Sequence, residues 1–65
     1  MFKVQYISES SFTRSFKSLT LGGSYYLDES SLYSSSDCKW YADIYATNSE
    51  ENWVGRLCLD HFRMV

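Results

Sequence analysis

Phe2, Val4 and Tyr6 alternate with Lys3 and Gln5 at the start of the chain. A period of two places the three apolar side chains on one side, which predicts a half-buried β-strand. The alternation is clearest between Lys39 and Thr47. There Trp40, Ala42, Ile44 and Ala46 form the set expected to face inward, and Tyr41, Asp43 and Tyr45 the set expected to face outward. Asn48 to Asn52 is a polar turn. A strand is expected to return from Trp53 to Leu59, with Trp53, Gly55, Leu57 and Leu59 on one face. Leu59 and Phe62 lie three apart, which suits a single 3₁₀ turn, and Val65 can add a short edge pairing.

Between these strands the pattern changes. Ser8 to Ser18 is serine-rich, with Phe12, Phe16 and Leu19 spaced four and three apart. That spacing suits one face of a short helix over residues 10–19, with Ser10 or Ser11 as its cap. It also suits an irregular loop that tucks its aromatic side chains beneath itself, and the weak helix propensity of Ser, Thr and Phe in so short a stretch favours the loop. Gly22-Gly23 marks a tight turn that needs positive φ. The strand that follows carries Tyr25 and Leu27 on one face and Tyr26 on the other. Asp28 to Asp37 is polar, acidic and serine-rich, and its composition predicts a mobile loop.

A chain of 65 residues forms one domain, residues 1–65, and buries only about 60% of its unfolded surface. Large side chains must therefore supply the core. Six Tyr, four Phe and two Trp do so, since each aromatic can bury roughly 150–250 Å². Proline is absent, so loop order has to come from glycine, side-chain hydrogen bonds and packing.

The net charge of −2 is unevenly spread. Residues 1–23 carry Lys3, Arg14 and Lys17 against Glu9. Residues 24–51 carry only Lys39 against Asp28, Glu29, Asp37, Asp43, Glu50 and Glu51. Residues 52–65 carry Arg56 and Arg63 against Asp60. An acidic belt through the middle argues against nucleic acid, whose binders neutralise phosphate. It suits either a solvated face or a surface that meets a basic patch on a protein.

Two cysteines, Cys38 and Cys58, are too few for a secreted disulfide framework. The start, Met1 to Tyr6, turns polar at once and shows no signal peptide. No stretch reaches membrane-spanning length. A cytoplasmic protein with reduced thiols is expected, the alternative being one bridge that closes the last two strands.

The order of these elements resembles the Src homology 3 barrel: a strand, a long serine-rich loop, a glycine turn, three strands, a 3₁₀ turn and a final strand. In that family a Phe-x-x-Gly turn precedes the second strand, and Leu19-Thr20-Leu21-Gly22 is similar to it. Lys39-Trp40-Tyr41-Ala42 resembles the Trp-Trp-x-Ala motif. Gly55-Arg56-Leu57-Cys58-Leu59-Asp60-His61 resembles Gly-x-x-Pro-x-Asn-Tyr. The resemblance implies an all-β, five-stranded Src homology 3-like barrel with a long first loop and a 3₁₀ turn before the last strand. Positions that shape the barrel are kept at Gly22, Ala42 and Gly55. Lys39, Cys58, Asp60 and His61 replace the residues that contact proline-rich ligands, which argues against polyproline recognition. A closer resemblance is to short free-standing phage and prophage proteins, through Leu19 to Leu27 and the tail from Phe62 to Val65. It implies a mobile-element accessory protein, located in the host cytoplasm, but no particular activity.

Reactive constellations are sparse. Cys58, Asp60 and His61 could in principle form a nucleophile, orienting acid and base, but a small barrel offers little room for a substrate cavity. Cys38, Cys58 and His61 lack the paired spacing of structural zinc ligands. Gly22-Gly23 lacks the Lys-Ser/Thr ending of a phosphate loop, and Asp43, Glu50 and Glu51 suit a solvated turn. No enzyme activity, cofactor or metal is expected. The outward tyrosines are different, because tyrosine is enriched at interfaces, although cross-strand aromatic pairs also stabilise sheets. Tyr26, Tyr41, Asp43, Tyr45, Glu50 and Glu51 are the candidate protein-binding residues. The expected function is a non-catalytic module that binds and inhibits a host protein such as transcription machinery or a defence nuclease. A phage protein is the other partner considered. A small nucleic-acid-binding barrel using Lys3, Arg14, Lys17, Arg56 and Arg63, and a self-associating subunit or homodimer, are the alternatives.

Overall fold

The computed structural model describes residues 1–37 and 39–65. Five strands make up one antiparallel sheet: β1 (Phe2–Tyr6), β2 (Ser24–Ser34), β3 (Trp40–Tyr45), β4 (Trp53–Cys58) and β5 (Phe62–Met64). Their order across the sheet is β4-β3-β2-β1-β5. The chain ends meet, because Val65 donates its N–H to the Lys3 carbonyl oxygen at 3.3 Å. Among the described residues there is no α-helix, only 3₁₀ turns at Thr13–Ser15, Glu50–Asn52 and Leu59–His61. The last of these sits where the Leu59/Phe62 spacing places it.

The core lies on one face of the sheet. Val4, Tyr6, Tyr25, Leu27, Ala42, Ile44, Leu57 and Phe62 form its buried cluster, with Phe16, Leu19, Val54 and Leu59 packed against it. Alternation explains this set, since each strand contributes every second residue. Tyr6, Tyr25 and Phe62 meet edge-on or tilted, with ring centroids 5.4–6.5 Å apart.

Residues 10–19 are an irregular loop with one 3₁₀ turn. Thr13 anchors it, being 1% exposed. Its Oγ1 accepts hydrogen bonds from Tyr6 Oη (2.6 Å) and Ser10 N (2.8 Å) and donates to the Ser10 carbonyl oxygen (3.2 Å). Phe16 then lies flat on β4, where a Cβ at Gly55 would come within 2.6 Å of its ring. Gly55 is therefore required by close approach. Gly22, at φ +85°, is required by backbone conformation.

Four expectations need correction. First, Asp28–Asp37 is not a mobile loop, because β2 continues to Ser34. The composition misleads because the register shifts between Asp28 and Tyr33, and serines fill the irregularity. Ser31 Oγ accepts from Asp43 N (2.8 Å) and donates to the Asp28 carbonyl oxygen (2.6 Å), satisfying groups that the ladder leaves over.

Second, Trp40 does not line the core. It shares the parity of Ala42 and Ile44 but is 53% exposed, because it opens β3 at the end of the sheet, where the neighbouring chain leaves into the Leu59–His61 turn. Ala46 likewise falls beyond the end of β3 and is exposed. Third, Trp53 does not share the face of Gly55 and Leu57. A register shift pairs it with Tyr45 and leaves Val54 as the extra residue. Fourth, Tyr45 is on the outward-facing side yet buried, because Tyr26 and Trp53 flank it in register on the neighbouring strands. The question of a bridge between Cys58 and Cys38 falls on a residue outside those described.

The Thr13 cluster sets up a stability test. Thr13→Val would leave the buried Tyr6 hydroxyl without an acceptor, and its expected cost is about 1–3 kcal/mol. Tyr6→Phe leaves the Ser10–Thr13 bonds in place, and is expected to cost only about 0.5–1.5 kcal/mol. Urea unfolding of both variants and their double mutant checks the order.

Candidate binding surface

The outer face of β2, β3 and β4 is organised in three rows across the strands. Tyr26, Tyr45 and Trp53 form the first, Asp28, Asp43 and Arg56 the second, and Tyr33, Tyr41 and Cys58 the third. Aromatic rows thus bracket a charged one. This follows from register, since residues opposite one another point to the same side.

The charged row is internally matched. Asp43 Oδ1 accepts from Arg56 Nε at 3.2 Å and from Trp53 Nε1 at 3.3 Å. The Arg56 guanidinium also lies over the Tyr33 ring, 5.5 Å from its centroid. Tyr33 stacks on Tyr41 with centroids 5.6 Å apart and planes 22° from parallel. Exposed ion pairs and cation–π contacts each contribute only about 0.2–1 kcal/mol. Their effect here is to hold flat, polar-tipped rings in one orientation.

Beside the third row the first loop rises to make a groove of about 510 Å³. Phe12, 61% exposed, is its outer wall, and Tyr33, Tyr41 and Arg56 lie along the strand side. Cys58 is buried, and Lys39, Asp60 and His61 close one end. Lys39 Nζ pairs with Asp60 Oδ2 at 3.3 Å. Asp60 therefore holds Lys39, whereas His61 turns away and donates from Nδ1 to the Ser8 carbonyl oxygen at 2.9 Å. The Cys58, Asp60 and His61 side chains share a groove without the hydrogen bonds of a nucleophile–base relay. Among the described residues, no three His, Cys, Asp or Glu side chains gather closely enough to hold a metal ion.

Asp37 sits at the lip of the groove. Its carboxylate accepts hydrogen bonds from the Ser35 hydroxyl, the Lys39 amide (3.1 Å) and the Tyr41 hydroxyl (3.0 Å). The Ser35 bond is the main reason its pKa falls below the ordinary aspartate value of 3.8. The same Asp37 bond, followed by burial, pushes the Tyr41 phenol above 10.0, whereas burial is the first cause for Tyr45.

The candidate residues read from the sequence divide into two places. Tyr26, Tyr41, Asp43 and Tyr45 share the outer face, although only Tyr41 lines the groove. Glu50 and Glu51 stand apart on the exposed turn that leads into Trp53. Tyr33 and Phe12 are the surface residues that sequence reasoning missed, and Arg56 was read only as a contact for nucleic acid. Tyr33 was hidden in a stretch that reads as loop, and Phe12 in one that reads as self-packed. Of the basic residues, Arg56 and Lys39 are each paired with a carboxylate, and Arg63 is bonded to Gln5 on the β1–β5 side at 2.9 Å. Among the described residues, no helix is long and apolar enough to cross a membrane.

The Asp37 contacts favour its ionised form in the folded chain. Their contribution is therefore fully present above pH 3.8 and is lost as pH falls through the lower, folded-state value. A carbon-detected NMR titration is expected to place the Asp37 carboxyl below 3.8, and Tyr41→Phe to move it upward.

No family model, curated protein or solved structure matches the chain.

Proposed function

We propose that the chain is a non-catalytic protein-binding module built on a Src homology 3-like barrel. The strand order β4-β3-β2-β1-β5, the one-sided core and the 3₁₀ turn before β5 support the barrel. A sheet that buries eight side chains on one face, with no second layer of sheet or helix among the described residues, supports the same reading.

The observation that carries the functional reading is the groove between Phe12 and the stacked Tyr33–Tyr41 pair. Its walls are aromatic, its rims bear Asp37, Arg56 and the Lys39–Asp60 pair, and it is open along its length. Aromatic surface with fixed polar tips gives contact area at small entropic cost. Such a groove fits an extended protein segment better than a small molecule, which would need deeper enclosure. Lys39, Cys58, Asp60 and His61, the positions that depart from the resembled family, all line it. An ion pair thus stands where that family presents an aromatic to proline. The ligand in this reading is a peptide segment that supplies polar as well as apolar side chains. The resemblance to short phage proteins extends the proposal to an accessory factor that occupies a host protein in the cytoplasm.

Selection of displayed random peptides against the wild-type chain is expected to enrich binders. Tyr33→Ala combined with Tyr41→Ala should weaken them by roughly 10–100-fold, as for interface hot spots. Chemical-shift mapping should place them on Phe12, Tyr33, Tyr41 and Arg56. Absence of enrichment over the double variant, or binding that ignores both substitutions, would overturn the reading.

A further inference from the structure

The core-parity face of the sheet is not closed at one end. Trp40 continues the inward series of Ala42 and Ile44, Phe2 that of Val4 and Tyr6, and Met64 lies opposite Val4. Leu32 precedes Tyr33 on β2 and so takes the face opposite to the stacked tyrosines. These four core-parity residues are 49% (Phe2), 39% (Leu32), 53% (Trp40) and 60% (Met64) exposed. One step beyond the Tyr41–Cys58 pair, the register carries Trp40 toward Leu59. Leu59 in turn lines an apolar dimple of about 110 Å³ with Val4, Leu27, Phe62, Met64 and Arg63. The core residues Val4, Leu27 and Phe62 therefore form the floor of the dimple, with Leu59, Arg63 and Met64 at its edge.

We propose that this open end is a self-association surface, covered by the same face of a second copy of the chain. Three observations select that occupant. The first is area. Half-exposed large side chains offer roughly 100 Å² each. Phe2, Leu32, Trp40 and Met64, with the flanking Met1 and Val65, thus supply about 600 Å² per chain, close to the roughly 800 Å² per partner of a standard stable interface.

The second is shape. The patch carries projecting aliphatic side chains as well as a dimple, and two-fold symmetry places each projection against the other copy's recess. At about 110 Å³ the dimple is smaller than the roughly 150 Å³ cavity that holds a benzene ring, which suits an aliphatic group such as Leu32 or Met64. The third is charge. Arg63, whose Nε donates to Gln5 Oε1, is the one ionised side chain that lines the dimple. The rim carries matched pairs, the N-terminal ammonium with Glu29 (3.7 Å) on one side and Lys39 with Asp60 (3.3 Å) on the other. A second copy thus meets matched charges around the rim.

This surface shares only the Lys39–Asp60 pair with the groove, and the Trp40→Glu variant tells the two readings apart. Sedimentation equilibrium of the wild-type chain between about 1 µM and 500 µM, bracketing a dissociation constant on the order of 10 µM, is expected to show mass rising from monomer to dimer. Trp40→Glu is expected to weaken the dimer at least about 30-fold. Met64→Lys should do the same from the other side of the dimple, with circular dichroism confirming that each variant is folded. Leu21→Glu, equally exposed but at the opposite end of β1, should leave the dimer intact. A folded Trp40→Glu chain is also expected to keep any groove-bound peptide. A wild-type chain that stays monomeric across the range would overturn the proposal and leave the patch to a different protein. A dimer unaffected by both Trp40→Glu and Met64→Lys would overturn it as well.

Discussion

The hydroxyl of Thr13 is the point on which the rest of the molecule depends. A 65-residue sheet with a one-sided core needs its long first loop as a lid, and the loop lacks the regular hydrogen bonds that would hold it down. One buried oxygen, which accepts from Tyr6 and Ser10 and returns a bond to the Ser10 carbonyl, replaces them. From that anchor Phe16 reaches Gly55 and seals the core, while Phe12 stays outside as the groove wall. The same bond that stabilises the core thus positions the candidate site, so folding and binding share one local arrangement.

The two faces of the sheet divide the chemistry. On the core side, aliphatic and aromatic side chains are close-packed by alternation. On the outer side, register places tyrosines and charged residues in rows, where Arg56 pairs with Asp43 and Ser30 holds Asp28. Neutral pairing matters because an unpaired charge beside the groove would favour any oppositely charged ligand. With Asp43 engaged by Arg56 and Trp53, and Asp60 by Lys39, Asp37 at the lip is the carboxylate of the candidate groove that hydrogen bonds alone hold.

Local periodicity made much of this legible. The strands around Val4, Leu27, Ile44 and Leu57 follow from alternation, and the turns at Gly22 and Leu59–His61 from glycine and from three-residue spacing. What alternation cannot report is a change of register. Two shifts, after Asp28 and after Ile44, account for three of the misplacements: the loop assigned to β2, the face of Trp53 and the burial of Tyr45. Trp40 is different in kind, since its face was read correctly and its exposure depends on where the sheet ends. The candidate surface was half visible for the same reasons. Tyr41 and Asp43 lie on an unbroken strand, whereas Tyr33 follows an irregularity whose serines satisfy the backbone in a way composition hides.

The irregularity in β2 has a consequence for how such a chain changes over generations. Between the pairs Asp28–Asp43 and Tyr33–Tyr41, β2 advances five residues while β3 advances two. The surplus is held by serine hydroxyls rather than by the core. A residue gained or lost there would alter a surface detail, while the pairing of Tyr33 with Tyr41 continues to set which side each later residue faces. The segment works as an expansion joint. It lets the outer face change in length and composition while Leu27 and Ile44, on the other side of the same strands, stay in register.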